Sequence, residues 1–183
     1  GAVLATQALG MAVALWLIVR VVPTRGLPVL VLGGLFTIAV AGALLAAAGA
    51  LPAVPVVALA GGLLGLGAGA GVGPGLFLGA LSVPAPRLGP AFALVQLLRA
   101  EAAFLLAPLL LRAATSAADP ATGVHDAALL VAGTAGAGAA VLTGVLLLGG
   151  SPPQAPHIQR WVDGDGPAYD SPPLAALLRG RSP

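Results

Sequence analysis

The stretch Gly26–Pro86, GLPVLVLGGLFTIAVAGALLAAAGALPAVPVVALAGGLLGLGAGAGVGPGLFLGALSVPAP, contains no Asp, Glu, Lys, Arg or His. A water-soluble domain does not run for about sixty residues without a charge, because part of any chain that long must face solvent. As a single helix the stretch would be roughly 90 Å long, about three times a ~30 Å hydrocarbon core. Pro52 and Pro55 break it near the middle. It reads as two membrane-spanning helices joined by a tight loop.

Outward from this stretch the pattern repeats, and the chain divides into five apolar runs at about 1–19, 27–50, 55–83, 88–111 and 127–148. These are runs A to E, a transmembrane region over 1–149. Beyond Gly150 the composition shifts to Pro, Asp, Arg and Ser, and 150–183 reads as a disordered cytoplasmic tail. Run A lacks a basic leader and is too long for a signal-peptide core. Its start within apolar sequence reads as a cut from inside a larger protein. The expectation is an all-α, polytopic membrane protein with about five transmembrane helices.

Composition supports that class and excludes others. Hydrophobic residues are 58% of the chain and charged residues 8%, against roughly 25% charged in soluble domains. With no cysteine there is neither a disulfide framework nor a thiolate metal site. The eight basic residues are all arginine and are scattered, so no basic patch points to nucleic acid. Heavy use of Ala, Gly, Pro and Arg without lysine is the codon habit of a GC-rich bacterial genome.

Loop charges orient the spans. Arg20 and Arg25 lie in the A–B link, Arg87 in the C–D link, and Arg160, Arg179 and Arg181 in the tail. The B–C link is uncharged, and the D–E link sets Arg112 against Asp119 and Asp126. Alternate connections carry the arginines, as five sequential spans require under the positive-inside rule. The A–B loop, the C–D loop and the tail are therefore expected on the cytoplasmic side of the inner (plasma) membrane.

Run C carries Gly61, Gly65, Gly69 and Gly73 at intervals of four, and Gly67, Gly71, Gly75 and Gly79 in a second set. The sets are offset by two residues, about 200° of helix rotation, so two small-residue ridges lie on nearly opposite faces. That predicts close neighbours on two sides. Two uses remain open: tight packing alone, or a helix kinked at Pro74 that slides or bends in a transport cycle. No intact G-x-G-x-x-G is present, which removes a dinucleotide loop.

Run D carries whatever chemistry the chain has. Arg99 and Glu101 fall near mid-span, with Gln96 three residues before Arg99. Ionisable groups at that depth cost at least ~2.5–3.5 kcal/mol each and normally face a bundle interior or a wet cavity. Arg99 and Glu101 are two apart and point about 200° away from each other, so each needs a partner elsewhere. Arg99 can instead snorkel or satisfy helix-end carbonyls, and Glu101 can be a packing carboxyl. Gln7 and Thr6 in run A and Thr37 in run B could line a cavity, although single threonines in such helices usually bond their own backbone. Thr134 and Thr143 read the same way. Asp126, beside His125, reads as an end-charge feature of run E. Asp163-Gly-Asp165-Gly begins like a calcium loop but lacks the downstream Glu.

Around run C and the start of D the sequence resembles a known family. Gly65-Leu-Gly-Ala-Gly, Pro74 and Leu81, followed by Arg87, Gly89, Ala91, Ala93, Leu94, Gln96 and Arg99, are similar to the C-terminal half of major facilitator superfamily transporters. The nearest branch is the fourteen-helix drug:proton antiporters, whose segment reads approximately R-x-G-x-A-x-G/A-L-x-N-x-x-R-x-x-G-G. Gln96 stands for Asn, Ala102 and Ala103 stand for the two glycines, and Glu101 replaces an apolar residue. Gly69-Ala-Gly-Val-Gly73-Pro74 also resembles the opening of that superfamily's antiporter motif, with Phe77 and Leu78 in place of its closing glycines. The resemblance implies five helices from a facilitator-type six-helix bundle, acting by alternating access with a missing N-terminal helical bundle. It implies a proton-coupled exporter of small amphipathic or drug-like molecules, with a small-molecule substrate, protons and the lipid bilayer as partners. No cofactor, metal or enzymatic activity is implied. The competing expectation is a structural or scaffolding five-helix subunit, packed through the run C glycines.

Overall fold

The computed structural model describes residues 2–48, 53–117, 119–148 and 155–169. Five long helices make up most of it: α1 Ala2–Val21, α2 Leu27–Ala47, α3 Ala53–Leu81, α4 Leu88–Ser116 and α5 Pro120–Leu148. A 3-10 turn, Ala85–Arg87, joins α3 to α4, and a short α6, Ile158–Val162, follows. Each of the five is long and apolar enough to cross a membrane. The protein is an all-α polytopic membrane protein.

Proline marks several starts. Pro28, Pro55 and Pro120 sit in first turns, where the missing N–H has no helical partner to lose. At α5 the start is completed by Asp119, whose Oδ2 accepts from the Thr122 backbone N at 3.3 Å. Pro74 in α3 and Pro108 in α4 lie inside helices that run through them, each removing one backbone hydrogen bond.

In space the order is α1, α3, α2, α5, α4. Backbones approach closely wherever small residues meet. Gln7 O would collide with a Cβ on Gly65, and Gly62 O with one on Gly10, in the α1–α3 seam. Between α2 and α3, a Cβ on Gly34 would lie 2.6 Å from Gly71 N. Between α2 and α5, one on Gly42 would lie 2.8 Å from Ala132 N. The buried core is accordingly mostly alanine, including Ala14, Ala41, Ala60, Ala70 and Ala128, while Leu4, Val19, Phe104 and Leu147 point outward. Small residues inside and large apolar ones outside are the arrangement of a bundle in lipid, where packing holds the helices together.

Three sequence expectations need correction. The fourth run extends to Ser116 and the fifth begins at Pro120, so His125 and Asp126 lie inside α5 and the capping carboxylate is Asp119. Arg112 does not stop α4, and in its last turn the Thr115 hydroxyl donates to Leu111 O at 2.8 Å. Run C ends at Leu81, two residues early, where the chain enters the turn before Pro84.

The third correction concerns the tail. Residues 155–169 fold back onto the α3 end instead of remaining disordered. Ala168 N and Tyr169 N donate to Leu81 O at 2.8 and 3.2 Å, and Trp161 Nε1 donates to Val83 O at 2.9 Å. Leu27, Leu81, Ala168 and Tyr169 form a small core there, flanked by Val22, Leu78 and Trp161. Residues 149–154 and 170–183, also read as tail, lie outside the described residues.

Candidate functional site

α3 and α4 are sequence neighbours, yet they pack on each other only lightly and a cleft of about 430 Å³ opens between them. One wall is Val72, Gly75, Leu76 and Gly79 of α3; the other is Phe92, Leu94 and Val95 of α4. Gly75 and Gly79 look into open space, since a Cβ on either would meet nothing within 4 Å. Arg99 also lines the cleft. It lies about 16 Å along α4 from Leu88, near mid-span.

Gln96 and Arg99 are brought together as their spacing implies: Arg99 Nη1 donates to Gln96 Oε1 at 3.2 Å. Both side chains are exposed, and α4 buries no residue in this array. The interior placement expected for Arg99 and Glu101 is therefore not met within the five helices. Arg99 faces the cleft, and Glu101 is exposed with no hydrogen-bond partner among the described residues. Gln7 is half-buried in the α1–α3 seam and is not brought to the cleft.

The packing residues of α3 divide. Gly61 and Gly69 face α1, where added Cβ atoms would come within 3.0 Å of Val3 Cγ1 and 2.5 Å of Ala14 Cβ. Gly73 is at the margin of that seam, 3.6 Å from Ile18 Cδ1, and Pro74 is fully buried. Of the second ridge Gly67 packs on α2; the Gly71 backbone N lies against Gly34, but a Cβ on Gly71 would meet nothing within 4 Å, and Gly75 and Gly79 face the cleft.

The membrane threonines bond their own backbones. Thr6 donates to Val3 O at 2.9 Å, Thr37 to Gly33 O at 2.7 Å, Thr134 to Leu130 O at 2.8 Å and Thr143 to Ala139 O at 2.7 Å. None is left to coordinate a ligand with its proton. Among the described residues no three His, Cys, Asp or Glu side chains gather as a metal site.

Sequence reasoning missed several contacts. His125 Nδ1 donates to Ala46 O at 2.7 Å, filling one of the carbonyls left over in the last turn of α2. Arg20 stacks 4.3 Å over the Trp16 ring at the end of α1. Their i, i+4 spacing was the available signal, an arginine and an aromatic together at a membrane boundary. In the docked tail the Tyr169 hydroxyl is buried without a hydrogen-bond partner, and burial raises its pKa above the ordinary tyrosine value. Comparison with protein-family models, with curated proteins and with solved structures finds no match.

Proposed function

We propose that this chain is part of a proton-coupled secondary transporter of the facilitator type, exporting small amphipathic molecules by alternating access. The observation that supports this is Arg99, a permanent charge near mid-span that faces an apolar, glycine-walled cleft with only Gln96 against it. Placing a guanidinium there costs at least ~2.5–3.5 kcal/mol. Pure scaffolding gives no return on that cost; recognition of a polar group on a substrate does.

In this reading the unburied face of α4, with Glu101 on it, meets the helical bundle that completes the transporter. The protein resides in the inner membrane. Its arginine-bearing α1–α2 and α3–α4 connections and its docked tail share the cytoplasmic side. Substrate, protons and lipid are its partners.

The test is proton-driven flux. Everted vesicles from cells expressing the intact gene are energised, and uptake of anionic, neutral and cationic amphipathic dyes is followed. Uptake of at least one dye that collapses with a protonophore supports the proposal. Indifference of every dye to the pH gradient overturns it in favour of a scaffolding subunit.

A further inference from the structure

We infer that the α3–α4 cleft binds a small amphipathic anion, a molecule with one carboxylate, sulfonate or phosphate on an apolar body. The inference rests on the transporter reading only where it makes this molecule the substrate. The binding site stands on its own geometry.

The cleft's volume of about 430 Å³ lies within the ~300–1,000 Å³ usual for small-molecule sites. Its walls are apolar, with Leu76, Phe92 and Val95 on facing sides. Gly75 and Gly79 differ in use from Gly65 and Gly69 on the same helix. The latter pair lets α1 touch the backbone of α3, whereas Gly75 and Gly79 touch nothing and leave space. That space is apolar except for one group, Arg99.

The charge of that group selects the ligand. A guanidinium stays protonated and offers five N–H donors in a planar fork suited to an oxyacid. One donor is engaged by Gln96 Oε1, which steadies the fork and leaves others for a ligand. An amphipathic cation would meet like charge in a low-dielectric cleft, where water does little to screen it. A neutral amphiphile would leave the guanidinium unpaired.

Two sources could supply the anion, a small free amphiphile or the headgroup of a bilayer lipid, and competition by an anionic phospholipid tells them apart. Arg99 lies about 16 Å along the helix from the α3–α4 connection.

The chain in phosphatidylcholine nanodiscs is exposed to a photoactivatable dodecanoate, and to dodecanol and dodecyltrimethylammonium carrying the same photoactive group. Labelled peptides are then mapped by mass spectrometry. Dodecanoate should label segments 72–83 and 91–99. Labelling should fall about tenfold or more in Arg99→Gln and recover in part in Arg99→Lys. Gly79→Leu, whose side chain enters open space, should keep the fold and the charge and lose the label.

Equal labelling by all three probes, full labelling of Arg99→Gln, absence of label in the unmodified chain, or displacement by phosphatidylglycerol in the nanodisc would each overturn the site. Flux separates this from the transporter reading. Specific dodecanoate labelling without proton-driven uptake keeps the site and ends the transporter. Proton-driven uptake without specific labelling does the reverse.

Discussion

The backbone carbonyl of Gln7 occupies the place where a side chain at residue 65 would begin, so Gln7 and Gly65 touch main chain to main chain. Nothing but glycine fits at that crossing of α1 and α3. Gly75, ten residues on, has open space on the same helix. Gly65→Ala should therefore destabilise the bundle by about 1–3 kcal/mol. Gly75→Ala should be neutral or slightly stabilising, by up to about 1 kcal/mol, through helix propensity. Unfolding in mixed detergent micelles reads both. Equal tolerance of the two changes would separate α1 from α3.

The second prediction concerns sidedness. The tail hydrogen-bonds to Leu81 and Val83, so residues 155–169 lie on the same face as the α3–α4 connection. Single cysteines at Pro86 and Val162 should both resist an impermeant maleimide applied to intact cells. One at Ala121 should react. Labelling of residue 162 but not 86 would detach the tail from that face, and labelling of residue 86 but not 121 would invert the protein.

His125 anchors α5 to the end of α2 through Ala46 O. His125→Ala leaves that carbonyl unpaired and should cost about 0.5–1.5 kcal/mol of bundle stability. Differential unfolding of the two proteins checks it. No loss would mean that water or lipid serves Ala46 equally well.

On the transporter reading, Arg99 and Glu101 should separate in uptake assays. Arg99→Ala should abolish uptake of the substrate. Glu101→Gln keeps shape and removes a titratable proton, so it should leave expression normal and flatten the dependence of uptake on the pH gradient. An unchanged pH profile in Glu101→Gln would confine Glu101 to packing, and normal uptake by Arg99→Ala would remove Arg99 from substrate handling.

The docked tail should come loose in alkali. The pKa of Tyr169 is raised by burial above its ordinary value of 10.0. The neutral phenol suits the docked state, so docking is at full strength below about pH 10 and weakens as the pH rises through the higher folded-state value. Tyr169→Phe removes an unpartnered hydroxyl. It should dock at least as firmly at pH 7, by up to about 1 kcal/mol, and should lose the alkaline release. Hydrogen exchange at Ala168 N follows both effects in the native range, and Trp161 fluorescence follows the alkaline limb. Retention of alkaline release in Tyr169→Phe would assign it to another group.

The spans were legible because Gly26–Pro86 holds no charge, a property of composition that needs no knowledge of contacts. The α1-facing ridge was legible from the spacing of Gly61, Gly65 and Gly69. The second ridge was only half legible, because spacing shows that a face is small but not whether a neighbour uses it. Gly67 meets Ile38, whereas Gly75 meets nothing. The start of α5 is not legible from hydropathy, because His125 and Asp126 interrupt the apolar run while Asp119-Pro120 carries the helix-start chemistry. The Gln96–Arg99 contact followed from helical spacing. The cleft beside it did not, since it exists only because α4 packs on α5 and stands off from α3. The tail was hidden by its composition: Pro, Gly and Asp read as unstructured, and the anchoring is done by backbone nitrogens at Ala168 and Tyr169 and the single indole of Trp161.

Those backbone nitrogens also bear on the order in which the protein is made. The Leu81 carbonyl receives its partners only when Ala168 and Tyr169 have left the ribosome, on the order of ten seconds after Leu81 itself at ordinary rates of synthesis. Until then the helices already made stand packed on one another while the Leu81 carbonyl at the end of α3 waits for its partners. The final clasp is supplied by nearly the last described residues, so a nascent chain and a chain truncated before Ala168 present the same unfinished surface. A protease or chaperone that recognises the bare end of α3 would thereby distinguish chains with the docked segment from chains that lack it.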